Sequence, residues 1–377
     1  SGSGTGSKRL RMADLTLPTP PTTPAWLAAL PDSGSLPEFL EHALNSPAHR
    51  ERWKYTKPAP FVAATQLPMI DPDIVGESQV GVALNQSIDA PLAGFDLEQA
   101  PEAIARLCYA DRVITLDVSE TTDEPVVINH TGNTRPMVIR VAAGVSLTLL
   151  ENANASDDAQ QTIWIDLAPN AHVQHSRNAL DNNLSHWQYL NVRLQAGARY
   201  QLNNHVAGCG ARRQDIHIIM DGQGAEATLV SAGKVDGKMA LDQQVTLEHR
   251  QPRGMSKQTV HNIVANGGKC TFNGRIHIHE GAAGTDAQLS NKNLGMGEHA
   301  TINTKPELEI YTDDVSCSHG ATVGTISQDA LFYLTSRGID QTAAEGLLSQ
   351  GFLRQCIDGP LADQALKALI GSAGTAA

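Results

Sequence analysis

The stretch that decides the fold is PELEIYTDDVSCSHGATVGTISQDALFYLTSR, which covers Pro306–Arg337. Its first half has apolar residues at strand positions, namely Leu308, Ile310 and Val315. From Asp329 onward the apolar residues recur at helical spacing instead. The stretch therefore predicts the end of a β-structured region, followed directly by a helical unit.

A Cys-x-His pair, Cys317 and His319, lies inside this stretch and is followed by Gly320. Residues i and i+2 of a strand point to the same face, so the thiol and the imidazole are expected to face one metal or one partner together. Two ligands do not complete a metal site. A single Cys is more often a small packed residue, and on the residues alone both interpretations stay open.

Upstream of this stretch, short β-like runs are separated by small turn residues at a nearly constant interval. Four markers of this corner are 26, 27 and 27 residues apart: Gly144, Asn170, Gly197 and Gly224. Gly297 follows at close to three further steps. A β-sandwich also has short strands with regular turns, but a fixed repeat is typical of a solenoid whose coils bury their apolar faces jointly. We therefore predict a mainly β fold with a right-handed parallel β-helix over residues 112–324.

Helical patterns flank the predicted β-helix on both sides. Residues 12–111 are interpreted as an N-terminal, partly helical region, with its clearest helix over 36–52. Residues 1–11 resemble an appended Gly/Ser linker before a start at Met12.

The C-terminal residues 325–377 predict three short helices. Thr325 and Gln328 fit the reciprocal capping pattern at the start of the first helix. Asp340 is the expected cap of the second helix, and the third follows Pro360. This unit is expected to pack in part on the β-helix.

Composition and charge exclude several classes of protein. The net charge of −12 argues against general nucleic-acid binding. No apolar run approaches the roughly 20 residues that span a bilayer, and no basic-then-apolar segment predicts secretion. The five cysteines are odd in number, widely spaced and without a Cys-x-x-Cys motif, which favours a reducing cytoplasm over a disulfide framework.

Common catalytic motifs are missing from the sequence. We find no Gly-x-x-x-x-Gly-Lys-(Ser/Thr) loop, no Gly-x-Ser-x-Gly and no His-Glu-x-x-His. The chain alone is therefore expected to bind no nucleotide and to hydrolyse no ATP. Two further histidine pairs, His277 with His279 and His172 with His175, have spacings that suit a metal, although a solvated coil face is the more ordinary interpretation of both.

Several motifs are similar to the SufB/SufD family of iron–sulfur cluster assembly scaffolds, with a signature of the SufD type. They are DDVSCSHGATVG at 313–324, ALFYL at 330–334, SRGI at 336–339, NKNL at 291–294, NTKPELE at 303–309 and RWKYT at 52–56. The similarity spans most of the chain and is densest over residues 285–352.

The resemblance implies a scaffold that is not an enzyme, with a β-helix core and helical ends. It implies that the chain pairs with SufB through the end of its β-helix and docks the SufC ATPase on its C-terminal helices. An iron–sulfur cluster or iron would be held transiently at a site shared with SufB, with His319 and Cys317 as this chain's metal ligands. The candidate partner-binding residues are Leu331, Phe332, Tyr333, Arg337 and Phe352.

Three alternatives stay open at this point. A SufB-like homologue is the nearest, although such chains are longer and carry further cysteines. A stand-alone homodimeric iron-binding module would use the same Cys-x-His pair. A polysaccharide-processing β-helix enzyme is the third, but the chain lacks both a secretion signal and a cluster of catalytic acids.

Overall fold

A computed structural model of the protein describes residues 43, 46–54, 56, 67–79, 81–87, 92, 94–95, 101–153, 158–180, 185–208 and 210–370. The expected linker over 1–11 and most of the helix expected over 36–52 lie outside these residues. Of that helix, the structure describes α1 (Pro47–Arg52) as helical.

The described residues form eighteen strands and five helices. The strands are β1 (Asp73–Val75), β2 (Val82–Ser87), β3 (Val113–Val118), β4 (Val126–His130), β5 (Met137–Val141), β6 (Ser146–Ala153), β7 (Ala159–Leu167), β8 (His172–Ala179), β9 (His186–Leu194), β10 (Arg199–Val206), β11 (Ala211–Met220), β12 (Glu226–Asp236), β13 (Ala240–His249), β14 (Met255–Ala265), β15 (Lys269–Ile278), β16 (Thr285–Met296), β17 (Thr301–Ile310) and β18 (Val315–Thr325). The other helices are α2 (Pro101–Tyr109), α3 (Gln328–Thr335), α4 (Gln341–Arg354) and α5 (Ala362–Ile370).

The strands alternate between two nine-stranded sheets as the chain advances. The first sheet has the order β1-β4-β6-β8-β10-β12-β14-β16-β18, and the second has the order β17-β15-β13-β11-β9-β7-β5-β3-β2. Neighbouring strands are parallel except at one end, where β1 pairs antiparallel with β4 and β2 with β3. This is a parallel β-solenoid with helices at its termini, and the predicted fold class is confirmed.

The predicted corner residues do form one continuous ladder. Gly144, Asn170, Gly197 and Gly224 have φ values of 72°, 59°, 66° and 68°. The N–H of each donates to a carbonyl in the same corner of the next coil, at 2.9–3.0 Å. Only glycine, and less often asparagine, adopts this left-handed conformation without strain, which is why these residue types mark the corner.

The expectation for Gly297 is wrong, because this glycine belongs to a different corner. The ladder continues instead through Arg253 (φ 61°) and Gly284 (φ 72°), whose N–H groups donate to Ala283 and Asp314. Gly297 lies between β16 and β17, where its neighbour Met296 accepts from Asn266. The later coils are longer than the earlier ones, so a constant step no longer locates the corner.

Apolar columns run through the interior of the solenoid. One column in the second sheet, fully buried or nearly so, consists of Met137, Ile163, Leu190, Ile216 and Val245. Burial of each such side chain contributes about 1.5–3 kcal/mol. Because every coil covers the apolar face of its neighbour, the core is continuous along the solenoid.

Polar columns run beside the apolar ones, inside the same core. Gln161, Gln188, Gln214 and Gln243 occupy one register position, and their amides bond in series at 2.8, 2.7 and 3.1 Å. Such a ladder is stable when each buried amide has a partner. These glutamines therefore link four successive coils through side-chain hydrogen bonds at one register position.

A buried charge cluster lies on the inner face of the first sheet. Glu151 is 3.4 Å from His130 Nε2, 3.1 Å from His175 Nε2 and 3.1 Å from Arg177 Nε. Burial alone would raise the pKa of Glu151, but Arg177 and the two histidines outweigh it and hold the pKa well below its usual value. The carboxylate is thus kept ionised in the core.

The N-terminal helices cover part of the outer face of the second sheet. Trp53, which follows α1, donates from Nε1 to Glu102 of α2 at 2.7 Å. The guanidinium of Arg213 on β11 lies 3.8 Å from the centre of the Trp53 ring, and Trp187 packs edge-on at 6.1 Å. The RWKYT element therefore anchors the N-terminal region to the solenoid.

The C-terminal helices cover the outer face of the first sheet. Leu353, Cys356, Ala365 and Leu369 pack on Ala207, Ala232 and Ile263 of that face. Asp340 caps α4 as expected, accepting from the N–H of Ala343. The N-cap of α3 is Ser327 rather than Thr325, since the Ser327 hydroxyl accepts from the N–H of Ala330. No helix in the part of the chain that the structure describes is long and apolar enough to cross a membrane.

Candidate functional site

The Cys-x-His pair lies on β18, the last strand of the first sheet. β18 pairs with β16 on one side, with Cys317 opposite Ala287 and His319 opposite Leu289. Among the described strands nothing pairs with its other side. β17 ends the second sheet at the same end of the solenoid, so the last coil is open there.

The register of β18 with β16 shows that the side chains of Cys317 and His319 face inward, at the open end of the solenoid. Ala287 and Leu289 belong to the hydrophobic core, and side chains at one register position share a face. Cys317 packs on that core and is half-buried, whereas His319 is exposed. The expected shared face of the two residues is thus what the backbone provides.

Two apolar side chains at this open end are exposed, although the same register positions are buried in the preceding coil. Ile310 pairs with the buried Ile278, and Val323 with the buried Asn293, so both occupy inward positions. Their exposed fractions are nevertheless 41% and 57%. Inward apolar groups are thus open to water at two strand edges that no described strand pairs with, a combination typical of surfaces that bind another chain.

Burial and a neighbouring carboxylate both raise the pKa of the Cys317 thiol. Burial raises its pKa, a hydrogen bond with the Ala287 backbone opposes that shift, and Asp286 adds to it. The thiol is therefore protonated at neutral pH, and a bound metal would have to displace the proton. Asp313 and Asp314 lie exposed in the turn before β18, where the backbone carbonyl of Asp314 accepts from Gly284.

The five candidate partner-binding residues divide into two groups. Phe332 and Tyr333 of α3 are 74% and 55% exposed, and Arg337 lies over the Tyr333 ring at 4.4 Å. Leu331 is buried, and Phe352 stacks on His261 of β14 with ring centres 4.7 Å apart. The accessible part of this surface is therefore Phe332, Tyr333 and Arg337.

Of the two other histidine pairs, the structure separates one and brings the other together. His172 is exposed on the outer face of β8, while His175 points inward to Glu151, so the structure does not bring these two together. His277 and His279 stack with ring centres 3.9 Å apart, close to Glu248. Sequence reasoning missed Glu248 because it lies one coil upstream, opposite His277 in the β13–β15 register.

Comparison with known proteins agrees with this geometry. A family model described as "SUF system FeS cluster assembly, SufBD core domain" matches residues 126–352. This range contains most of the solenoid, the Cys-x-His pair, α3 and most of α4.

Curated proteins are similar to this chain over about half of its length or more. The iron-sulfur cluster assembly protein SufD of Escherichia coli (strain K12) is 34% identical over 232 residues, which cover 60% of this chain and 55% of that protein. A SufBD family protein of Synechocystis sp. is 30% identical over 235 residues, covering 59% and 52%. Protein ABCI7 of Arabidopsis thaliana, a chloroplastic protein, is 34% identical over 185 residues, covering 48% and 38%.

The chain spans about half the length of the first two of these relatives. The family match, by contrast, covers more than half of the chain itself. By that match, and by the solenoid that carries it, the chain belongs to the SufBD core family of the SUF iron–sulfur cluster assembly system.

Proposed function

We propose that this protein is a scaffold subunit for iron–sulfur cluster assembly, completed by a partner that adds a coil to the open end of its solenoid. The observation that carries the proposal is the last coil, where His319 and Cys317 face inward from an unpaired strand edge. A SufB-type subunit, which has the related fold implied by the family, is the proposed partner.

The cluster, or the iron that builds it, is the cargo of this site. Thiolate and imidazole are suitable ligands, but iron–sulfur clusters generally take four protein ligands, mostly thiolates. Cys317 and His319 supply two at most, so the partner must supply the others. A site divided between two subunits also allows the finished cluster to leave when the interface opens.

The C-terminal helices are the proposed dock for a SufC-type ATPase. Phe332 and Tyr333 expose large aromatic faces beside Arg337, and aromatic and arginine side chains dominate the binding energy of many protein interfaces. A buried apolar cluster holds α4 and α5 on the solenoid. α3 follows β18 after two residues, so a force applied to α3 would act directly on the strand that carries Cys317 and His319.

The test is assembly with purified SufB-type and SufC-type subunits, measured by size-exclusion chromatography with light scattering. Val323→Lys places a charge on the inward side of the open edge and should abolish pairing with the SufB-type subunit. Ser318→Lys, on the outer face of the same strand, is the matched control and should assemble normally. If wild type and both variants all fail to assemble, or all assemble equally, the proposed role of the open end is wrong.

A second copy of the chain is the alternative occupant of the same end. Light scattering on the isolated chain gives its oligomeric state directly. A dimer that Val323→Lys dissociates, together with no complex in the presence of the SufB-type subunit, would support the homodimeric iron-binding module instead.

A further inference from the structure

Three histidines surround one carboxylate on the outer face of the second sheet, away from the Cys-x-His strand. Glu248 lies near the end of β13, and His277 is its register neighbour on β15. His279 lies two residues after His277, immediately beyond the end of β15. His217 approaches Glu248 from β11 on the other side. These residues come from three successive coils, so only the solenoid brings them together.

The distances within this group suit metal ligation. His217 Nε2 lies 3.1 Å from Glu248 Oε1, and His279 Nε2 lies 3.4 Å from Glu248 Oε2. One ligand atom from each of Glu248, His277 and His279 lies within 4.8 Å of the others. A tetrahedral ion with ligands at 2.0–2.1 Å separates those ligands by about 3.3 Å.

Two of the imidazole nitrogens lack an aligned hydrogen bond. The Nε2 atoms of His217 and His279 are buried, and neither makes one despite its closeness to Glu248. A buried polar atom is normally satisfied by a partner. A metal ion held between Glu248, His277 and His279 would supply that partner to His279.

Arg250 holds the carboxylate in place. Its Nε and Nη2 lie 2.9 and 2.8 Å from Glu248 Oε2. An outer hydrogen-bond partner of this kind orients a ligating carboxylate. His217 also lines a cleft between α1 and the outer face of the second sheet, which gives an ion a route from solvent.

We propose that Glu248, His277 and His279 bind one divalent transition-metal ion. Imidazole nitrogens with a single carboxylate suit Zn²⁺, Co²⁺ or Fe²⁺, whereas Ca²⁺ and Mg²⁺ require more oxygen ligands. The ion joins β13 to the end of β15 and stabilises the solenoid near its open end. This inference is independent of the proposed scaffold function.

The experiment uses the full chain, stripped with a chelator and titrated with Co²⁺. We expect one Co²⁺ per chain with the visible absorption of a tetrahedral site, displacement by Zn²⁺, and a higher melting temperature when metal is bound. His277→Gln, His279→Gln and Glu248→Gln should each weaken binding by at least roughly 10–100-fold, because the loss of even an outer hydrogen-bond partner of a metal ligand typically costs that much. Anaerobic Fe²⁺ in place of Zn²⁺ shows whether iron uses the same ligands.

Two control variants keep the test specific. His172→Gln removes an exposed histidine from the outer face of the first sheet and should leave Co²⁺ binding unchanged. His299→Gln removes a second exposed histidine, which belongs to neither proposed site, and should also leave Co²⁺ binding unchanged. If Co²⁺ does not bind to the wild type, or if its affinity is equal in His277→Gln and His172→Gln, the proposal is overturned.

Discussion

His319 on the terminal strand lies in register with Leu289, a core residue of the preceding coil that is 3% exposed. The same column continues inward through Gln258, Leu229 and Leu202, all buried. His319 therefore occupies a core position of the solenoid, in an end coil that no further described strand covers. On the proposed pairing, the partner's coil would bury this imidazole.

The first prediction concerns this histidine in the assembled complex. Since its side chain is exposed in the isolated chain, His319→Ala should change the free energy of unfolding by less than about 0.5 kcal/mol. Cluster content after anaerobic reconstitution of the complex, measured by visible absorption, should nevertheless fall at least several-fold. Ser318→Ala, on the opposite face of β18, should retain its cluster. Full cluster content in His319→Ala would show that His319 is not a ligand, and full content in Cys317→Ala as well would assign all the ligands to the partner.

The second prediction concerns the accessibility of Cys317. Burial raises the pKa of Cys108, Cys270 and Cys356 to about 12, and these thiols should stay unmodified in the folded chain. Cys317 is the half-buried member of the described cysteines. It should react with iodoacetamide slowly at pH 7.5 and faster as the pH rises toward its raised pKa.

Partner binding should then protect Cys317. Alkylation measured by mass spectrometry in the isolated chain and in the complex with a SufB-type subunit gives the comparison, with Cys108 as the internal reference. Equal labelling of Cys317 in both samples would contradict its burial at the interface.

The third prediction is a loss of stability in acid. Burial lowers the pKa of His205 and of His249 to about 4, against about 6.5 in an unfolded chain. Between these values the unfolded state binds more protons than the folded state. The stabilisation that comes from keeping these two histidines neutral is therefore fully present above about pH 6.5, and it is lost as the pH falls toward 4. Each histidine should cost about 2 kcal/mol at pH 5.

Urea unfolding at pH 7 and pH 5 measures this effect. His249→Gln keeps a neutral side chain at both values, so its loss between the two should be about 2 kcal/mol smaller than that of the wild type. His299→Gln removes a histidine whose side chain is 86% exposed, and its pH dependence should match the wild type. Parallel curves for His249→Gln and the wild type would show that His249 is protonated in the folded state.

The sequence was most informative where backbone conformation restricts the residue type. Gly144, Asn170 and Gly197 could be identified as corners because few other residues tolerate a positive φ. Arg253 occupies the same kind of corner without a glycine, and no local pattern distinguishes it. Its place follows only from the hydrogen bonds between coils.

The two candidate metal sites also differ in how far the sequence alone could predict them. Cys317 and His319 are neighbours in sequence, so strand geometry alone gave them a shared face. Glu248 and His277 are brought together by the register of β13 and β15. Register depends on the length of every intervening turn, and those lengths change along this chain. The second group could therefore be recognised only in the folded solenoid.

The last prediction concerns the buried glutamine ladder. Gln214 donates to Gln188 at 2.7 Å and to Asn204 at 3.2 Å, and it accepts from Gln243 at 3.1 Å. Gln214→Ala removes the donor to Gln188 Oε1 and to Asn204 Oδ1 in the buried core, while Asn204 and Gln243 still donate to Ser231. The expected loss in the free energy of unfolding is about 2–4 kcal/mol, because a buried unsatisfied polar group costs roughly 1–3 kcal/mol. Urea titration measures it.

A matched substitution separates the ladder from a general effect of glutamine. Gln288 on β16 is exposed, and Gln288→Ala should change the stability by less than about 0.5 kcal/mol. Gln188→Ala combined with Gln214→Ala should cost less than the two separate losses together, since both remove the same hydrogen bond. Strict additivity would mean that the amides act singly. Register would then be fixed by the apolar columns alone, because a ladder can align coils only if each amide depends on the next.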